Sequence, residues 1–526
     1  MASNGITYEI ETEIKTEKAG NRIAMESIKN PILRGMYPDP SICEAEGKYY
    51  LITSTFTYAP GVPIFESEDL VNWTQIGHIL VTPGQLELMD LEVSSGIFAA
   101  TIRYHRGIFY MITTNAGRGG NFYVTATCPK GPWSEPVFLK EAAGIDPSLF
   151  FDDDDCYYVG QRFKHDAKYD GDCEIWVQKL DLQAGKLVEE SHVLWDGAAK
   201  NVIWAEGPHL YKKDGYYYLC IAEGGTAHEH SVNIARSKEI YGPYESCKNN
   251  PLLTHKHLGR NYPLQYIGHA DLIEKVDGNW FAVMLGTRMY EEKSSMGRET
   301  FIVPVVWEDD WPVFCEGEGK ISVSKETMCG MGRKIMIRWS DPLPLSCVML
   351  RSVLESSKRR VMEERLHLSL GTQKLESEKT PAYIGIRVEE HQFSLKVSMT
   401  FLPDEGEEAG LVYYYNAANF IKLIVLKRNN KIVLSVVKYE KSIVTCVFEE
   451  VEELYRGNSI LEMQVEKHKM RCILNGIIVA DALDISQLTT QGAGGFVGCT
   501  MGVYGYTDKA ESTNEAVFDS LTVVYP

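Results

Sequence analysis

The sequence predicts an all-β protein: a five-bladed β-propeller followed by a β-sandwich of concanavalin or jelly-roll type. Three observations carry that reading. A turn, a pair of aromatics and an apolar strand recur five times, in "GKYYLITST", "GIFYMITTN", "DCYYVGQR", "GYYYLCIAEGG" and "NWFAVMLGT". Their spacing of roughly 48 to 63 residues suits four-stranded blades with loops of unequal length. Later, "HQFSLKVSMTF", "GLVYYYNAANFIKLIVL", "KIVLSVVKYE" and "GFVGCTMGVYGYT" alternate apolar and polar residues as sandwich strands do.

In chain order, residues 1–29 form a polar extension without the basic and apolar regions of a secretory signal, so a cytoplasmic protein is expected. Residues 30–325 make the propeller. Ahead of four aromatic pairs a polar residue opens a short strand: Asp39 in "PDPSI", Asp146 in "IDPSLFF", Glu206 in "AEGPHLY" and His269 in "GHADLIE". The second blade, "SSGIFAATIRYHRGIFY", has no carboxylate there. Inner strands of a propeller line its central channel, so the four residues, taken to lie in register, should meet at one mouth. Residues 326–340 read as a linker and 341–526 as the sandwich, where "SVLESSKRRVMEERLH" is a short helical hint.

Composition excludes several classes. A net charge of −19 without a basic block argues against nucleic acid and anionic membrane partners. No apolar run reaches membrane-spanning length. The 12 cysteines include no C-x-x-C pair and fall partly in apolar strands, as small core residues do. Walker, G-x-G-x-x-G and G-x-S-x-G patterns are absent. His228, His230, His255 and His257 read as residues of solvated loops, and the run Asp152–Asp155 as a hairpin turn in preference to a calcium site. Association into a homo-oligomer is left open.

Three carboxylates gathered at one mouth repel one another and add no stability, which points to chemistry. Two carboxylates flanking an anomeric carbon suffice for glycoside hydrolysis, and a third raises the pKa of the acid. Spacing alone does not divide the roles among Asp39, Asp146 and Glu206.

The segments "NPILRGMYPDPSIC", "YAPGVPIFESEDLVNWTQIGH", "GIDPSLFFDDD", "WAEGPHLYKKDGYYYLCIAEGGT", "IGHADLIE" and "MGRETFIVPVVWEDDWP" resemble glycoside hydrolase family 43, in particular its two-domain β-xylosidases and α-L-arabinofuranosidases. The resemblance implies an exo-acting, inverting enzyme on xylo-oligosaccharides or arabinose-substituted oligosaccharides. Asp39 would be the general base, Glu206 the general acid and Asp146 the residue that orients and tunes the acid. It further implies substrate-binding roles for Phe56, Phe98, Thr226, His269, Arg288 and Phe496. No cofactor is required, and a calcium ion near His269 is the one metal it suggests. Two departures touch the sugar wall. Phe98 in "IFAATI" replaces the usual tryptophan, with Ala100 for proline, and Ile145 precedes Asp146 where an aromatic is common. A non-catalytic carbohydrate-binding protein and an endo-arabinanase are the alternatives.

Overall fold

The computed structural model describes residues 28–330, 332–451, 456–510 and 512–526. Residues 1–27, most of the expected N-terminal extension, lie outside the described residues.

Each aromatic pair sits on the second strand of an antiparallel sheet, where the turn before it returns the chain alongside the innermost strand. The innermost strands are Ser41–Ala45, Thr101–His105, Ile145–Asp152, Glu206–Lys213 and Leu264–Glu274. Four sheets have four strands; the second has five, because the short strand Gly96–Ile97 also pairs with Ile108–Ala116. The acidic run Asp152–Asp155 is the hairpin turn between Ile145–Asp152 and Asp155–Phe163. Ring closure uses the leader of the first blade: the N–H of Ile32 bonds the carbonyl of Thr300, and that of Tyr37 bonds the carbonyl of Arg298, both in the fifth blade.

Register gives the channel two layers. Counted back from each hairpin, Ser41, Thr101, Ser148, His209 and Asp271 are equivalent. Asp271 is fully buried and forms a plug: Arg103 reaches it from the second blade at 2.9 and 3.1 Å, Ser41 at 2.6 Å from the first and Tyr211 at 2.6 Å from the fourth. Burial alone would raise its pKa, but the Arg103 guanidinium holds the carboxyl far below its ordinary range.

Two residues nearer the mouth stand Asp39, Ala99, Asp146, Gly207 and His269. Asp39 (φ 53°), Asp146 (φ 53°), Gly207 (φ 57°) and His269 (φ 51°) all adopt the left-handed conformation, and in the third, fourth and fifth blades the pairing slips here. The kink turns the side chains of Asp39, Asp146 and His269 out of the sheet and into the channel. Blade four thus departs from the expected register, because Gly207 holds the equivalent position and Glu206 precedes it. The reason is steric: a Cβ on Gly207 would lie 2.8 Å from the His269 ring.

The second half forms a sandwich of a six-stranded and a nine-stranded sheet, counted over the described residues. The stretch 326–340 is more than a linker. It holds the one-turn helix Lys325–Met328, capped by Ser324, and the strand Arg333–Ile337, which pairs with Leu521–Tyr525 inside the larger sheet. The helical hint over 352–367 is instead mostly the hairpin Arg359–Met362 and Arg365–Ser369. All twelve cysteines are free and nine are buried, in keeping with their core reading.

The domains share one core. Met36, Phe56, Tyr58, Val93 and Met296 of the propeller belong to the sandwich's hydrophobic cluster. At its edge Arg288 is fully buried and donates to Glu299 at 2.7 Å on both oxygens, to Glu390 at 2.7 Å and to the carbonyl of Glu389 at 2.6 Å. Removing the guanidinium leaves the buried Glu299 without a counter-charge, while Glu390 keeps Arg34 at 2.7 Å. Arg288→Leu is expected to cost about 3–5 kcal/mol in urea unfolding, with KM of the remaining folded protein unchanged.

Candidate active site

A pocket of ≈ 240 Å³ opens at the channel mouth and is lined by Asp39, Asp146, Glu206, His269, Phe56, Phe98, Thr226 and Phe496, eight of the nine residues that the sequence singled out. It is small against the roughly 300–1,000 Å³ of drug-sized sites and suits a single sugar ring.

The three carboxylates differ in surroundings. Asp39 accepts Ser54 Oγ at 2.6 Å on one oxygen and Arg298 at 2.5 Å on the other, a fixed, charge-assisted pair of contacts suited to a carboxylate that must take a proton. Glu206 is buried, and its Oε1 has no protein hydrogen-bond partner. Burial first, then the charges of Asp146 and Asp39, push its pKa well above the usual carboxylate range and favour its protonated form. Asp146 is pushed up to about 6, by burial foremost and by Asp39, against the opposing pull of His269 and Arg298. One group able to accept a proton and one able to donate it therefore face the same small volume.

The ninth residue, Arg288, does not reach the pocket. Its guanidinium is consumed by Glu299 and Glu390 at the domain seam. Arg298, ten residues later in "MGRETF", lines the pocket and pairs with Asp39. Gly297 before it (φ 72°) presses against Gly498 of the sandwich, where a Cβ would lie 2.8 Å from the Gly498 nitrogen. That glycine was the available sign that the neighbouring arginine sits at a close approach. Trp204, Ala99 and Gly225 also line the pocket without having been singled out.

Three phenylalanines form the wall. Phe56 stacks on Phe496 at 6.2 Å and 18°, and Phe98 stands edge-on to them at 5.8 and 6.1 Å. Phe496 precedes the strand Thr500–Thr507 in a loop and is 38% exposed, so it is no sandwich-core residue. The loop is pinned by the Phe496 N–H bonding Ser94 Oγ at 2.9 Å. Arg298 lies over both Phe56 and Phe496, at 5.7 and 5.9 Å from the ring centres.

Calcium takes six to eight oxygen ligands. Around His269 the near groups are Gly207, the carboxyl of Asp146 and the buried imidazole of His230, whose nitrogens find no protein partner. Among the described residues no group of three or more His, Cys, Asp or Glu side chains is placed to hold a metal. The residues do not fit the ion, and no step is routed through one. His230 and His255 are also buried rather than solvated; His255 is spent on the backbone of Leu264 and Ile321.

Residues 28–312 match the glycosyl hydrolases family 43 model, and residues 340–524 match the beta xylosidase C-terminal concanavalin A-like domain. The chain is 45% identical over 516 residues to a xylosidase/arabinosidase of Butyrivibrio fibrisolvens, covering 94% of this chain and 98% of that relative. It is 34% identical over 522 residues to a non-reducing end alpha-L-arabinofuranosidase of Bacteroides ovatus, covering 94% of each. Among solved structures it is similar to a xylan beta-1,4-xylosidase from Bacillus halodurans, with a TM-score of 0.86 at 29% identity over 94% of this chain and 100% of that one.

The raised pKa of Asp146 has a stability signature. A carboxyl whose folded pKa exceeds its unfolded value stabilises below the unfolded value, near 4, and that contribution is lost as pH rises through about 6. Asp146→Asn should therefore abolish activity yet raise the melting temperature at pH 7.5, by the equivalent of up to ~3 kcal/mol, with the gain vanishing near pH 4. Calorimetry across pH reads this directly; equal gains at both pH values would contradict the assignment.

Proposed function

Because the chain belongs to family 43 of the glycosyl hydrolases, we propose that it is an exo-acting, inverting glycosidase that releases single pentoses, xylose or arabinose. Its substrates are the non-reducing ends of xylo-oligosaccharides or arabinose side chains. The observation that carries this is the convergence of Asp39, Asp146 and Glu206 in a pocket of one-ring size closed on one side by Phe496. An endo-acting enzyme needs an open groove along which a chain passes, and the wall of Phe56, Phe98 and Phe496 obstructs it.

In this reading the protonated Glu206 gives its proton to the glycosidic oxygen as the bond to the anomeric carbon breaks. A water on the opposite face attacks that carbon, and Asp39 takes its proton. Inverting pairs keep their carboxyls roughly 6.5–9.5 Å apart to admit that water. Arg298 and Ser54 hold Asp39 in place. Asp146 raises the affinity of Glu206 for its proton, and the phenylalanine wall excludes water, which strengthens every charge interaction inside. The names of the relatives, a xylosidase/arabinosidase and an arabinofuranosidase, support pentose substrates, and the small pocket suits either ring.

The test uses an aryl β-D-xyloside and an aryl α-L-arabinofuranoside. Proton NMR of the first product from the xyloside should show α-xylose; initial β-xylose would refute inversion. Glu206→Ala should lose far more rate on substrates with poor leaving groups than on activated aryl glycosides, whereas Asp39→Ala should lose both alike.

Phe496→Ala removes a half-open wall residue rather than a core one. It should lower kcat/KM about tenfold or more, with thermal unfolding nearly unchanged. A core phenylalanine would instead cost roughly 3–5 kcal/mol of stability.

A further inference from the structure

The peptide unit just ahead of Asp146 is gripped at both ends by buried amide side chains from two different blades. In the third blade the pairing of Ile145–Asp152 with Asp155–Phe163 slips between Ile145 and Ser148, so Asp146 and Pro147 stand against Gly160 alone. Next to this slip the N–H of Ile145 donates to Gln161 Oε1 at 3.3 Å. The carbonyl of Gly144, the other end of the same peptide unit, accepts from Asn121 Nδ2 at 3.2 Å, and that nitrogen also bonds the carbonyl of Ala142 at 3.0 Å. Gln161 lies on Asp155–Phe163, and Asn121 on the strand Gly120–Ala126 of the second blade. Each is 1% exposed.

Both amides are held from behind. Thr114 Oγ1 donates to Asn121 Oδ1 at 2.5 Å, and Gln161 Nε2 donates to Cys173 Sγ at 2.7 Å. A backbone N–H can only donate, so the Gln161 oxygen must face Ile145 and its NH2 group the sulfur. The backbones are just as close. Gly144 has φ 88°, and a Cβ there would lie 1.5 Å from the Gln161 carbonyl oxygen. Thr114 also reaches the phenylalanine wall, since its carbonyl accepts the N–H of Phe98 at 3.0 Å.

A buried amide that bonds a loop backbone is common, and one alone needs no further account. Here two meet on a single peptide, one residue before a left-handed carboxylate of the pocket. Repulsion between carboxylates falls with distance and is strong where water is excluded, so the proton affinity of Glu206 depends on where Asp146 points. The other charges facing this pair are Asp39, Arg298 and His269. The phenol of Tyr158 lies beside Asp146 and the thiol of Cys173 beside Glu206, and burial keeps both neutral.

We propose that Asn121 and Gln161 are positioning residues for the general acid: they clamp the peptide before Asp146 and so aim its carboxyl at Glu206, with Cys173 anchoring the clamp. None of the three lines the pocket. The inference rests on the glycosidase reading above and adds to it the means by which the acid keeps its proton.

The test measures kcat and KM across pH for wild type, Gln161→Met, Asn121→Leu, Cys173→Ser and Cys173→Ala, on an activated aryl glycoside and on one with a poor leaving group. Gln161→Met keeps the side chain's length and removes both polar groups. On the poor leaving group its kcat should fall about ten- to a hundredfold with KM nearly unchanged. The basic limb of its kcat/KM profile should move down by about one pH unit, because an acid no longer faced by the Asp146 charge gives up its proton sooner. Asn121→Leu should do the same. Cys173→Ser keeps an acceptor for the amide and should track wild type, whereas Cys173→Ala should show part of the shift. An unmoved basic limb in Gln161→Met and Asn121→Leu, equal losses on both leaving groups, or serine and alanine at 173 behaving alike would overturn the clamp and leave the glycosidase reading intact. If wild type cleaves neither an aryl xyloside nor an aryl arabinofuranoside, the glycosidase reading fails, and this inference with it. Should Gln161→Met and Asn121→Leu not fold, the two Cys173 variants decide alone, since each changes a single side-chain atom.

Discussion

Asp271 is the constraint on which the mouth of the channel depends. A fully buried carboxylate in an apolar ring would ordinarily be neutral or absent. Here it is answered by donors from three other blades: the forked guanidinium of Arg103, the hydroxyl of Ser41 and the phenol of Tyr211. A buried carboxylate held by four such hydrogen bonds fixes geometry more tightly than apolar contact would. Asp39 and His269 stand two residues nearer solvent than Ser41 and Asp271 on the same chain segments, and Glu206 opens the strand that carries Tyr211, so the plug fixes that part of the pocket's carboxylate layer. Asp146 stands on the third blade, whose Ser148 donates to the carbonyl of Pro208 at 2.6 Å. The plug also explains why the second blade lacks a carboxylate at the mouth: that blade supplies Arg103 below it, with small Ala99 above.

The catalytic layer pulls the other way. Burying Glu206 and Asp146 beside Asp39 raises the proton affinity of the first two at neutral pH. That is a cost to the fold, and it is what the proposed general-acid role of Glu206 requires. Compensation comes from positive charge placed with economy. Arg298 serves Asp39, while Arg288 serves Glu299 and Glu390 at the seam. Ten residues apart in one chain, two buried arginines thus divide between pocket and seam, and their partners tell them apart.

That division marks the limit of what the sequence alone disclosed. The propeller was legible because its aromatic pairs repeat, and the three carboxylates because they precede those pairs at nearly constant distance. Hairpins hide better. Over 352–367, charged residues on a solvent-facing sheet imitate helix composition, and pairing with distant strands decides the matter. The strand Arg333–Ile337 was equally hidden, since its partner lies nearly two hundred residues on. Register within the fourth blade was misread by one residue, because Glu206 is polar and Gly207 silent, although the glycine holds the equivalent position. Trp204 escaped notice for the opposite reason: a lone aromatic before a strand resembles any core residue, and its exposure comes from glycines in neighbouring loops.

The wall formed by Phe496 divides the pocket between the two halves of the chain. Every carboxylate of the site lies in the first 206 residues, and the propeller closes on itself by residue 314. The third phenylalanine of the wall comes far later in the chain, and the larger sandwich sheet is completed only by Leu521–Tyr525, which pairs with both Arg333–Ile337 and Gln392–Thr400. Without the second half, the pocket that holds the three carboxylates lacks one side. The second half supplies the wall that limits the pocket to one ring, so the same packing that builds the shared core also bounds the space left for a substrate.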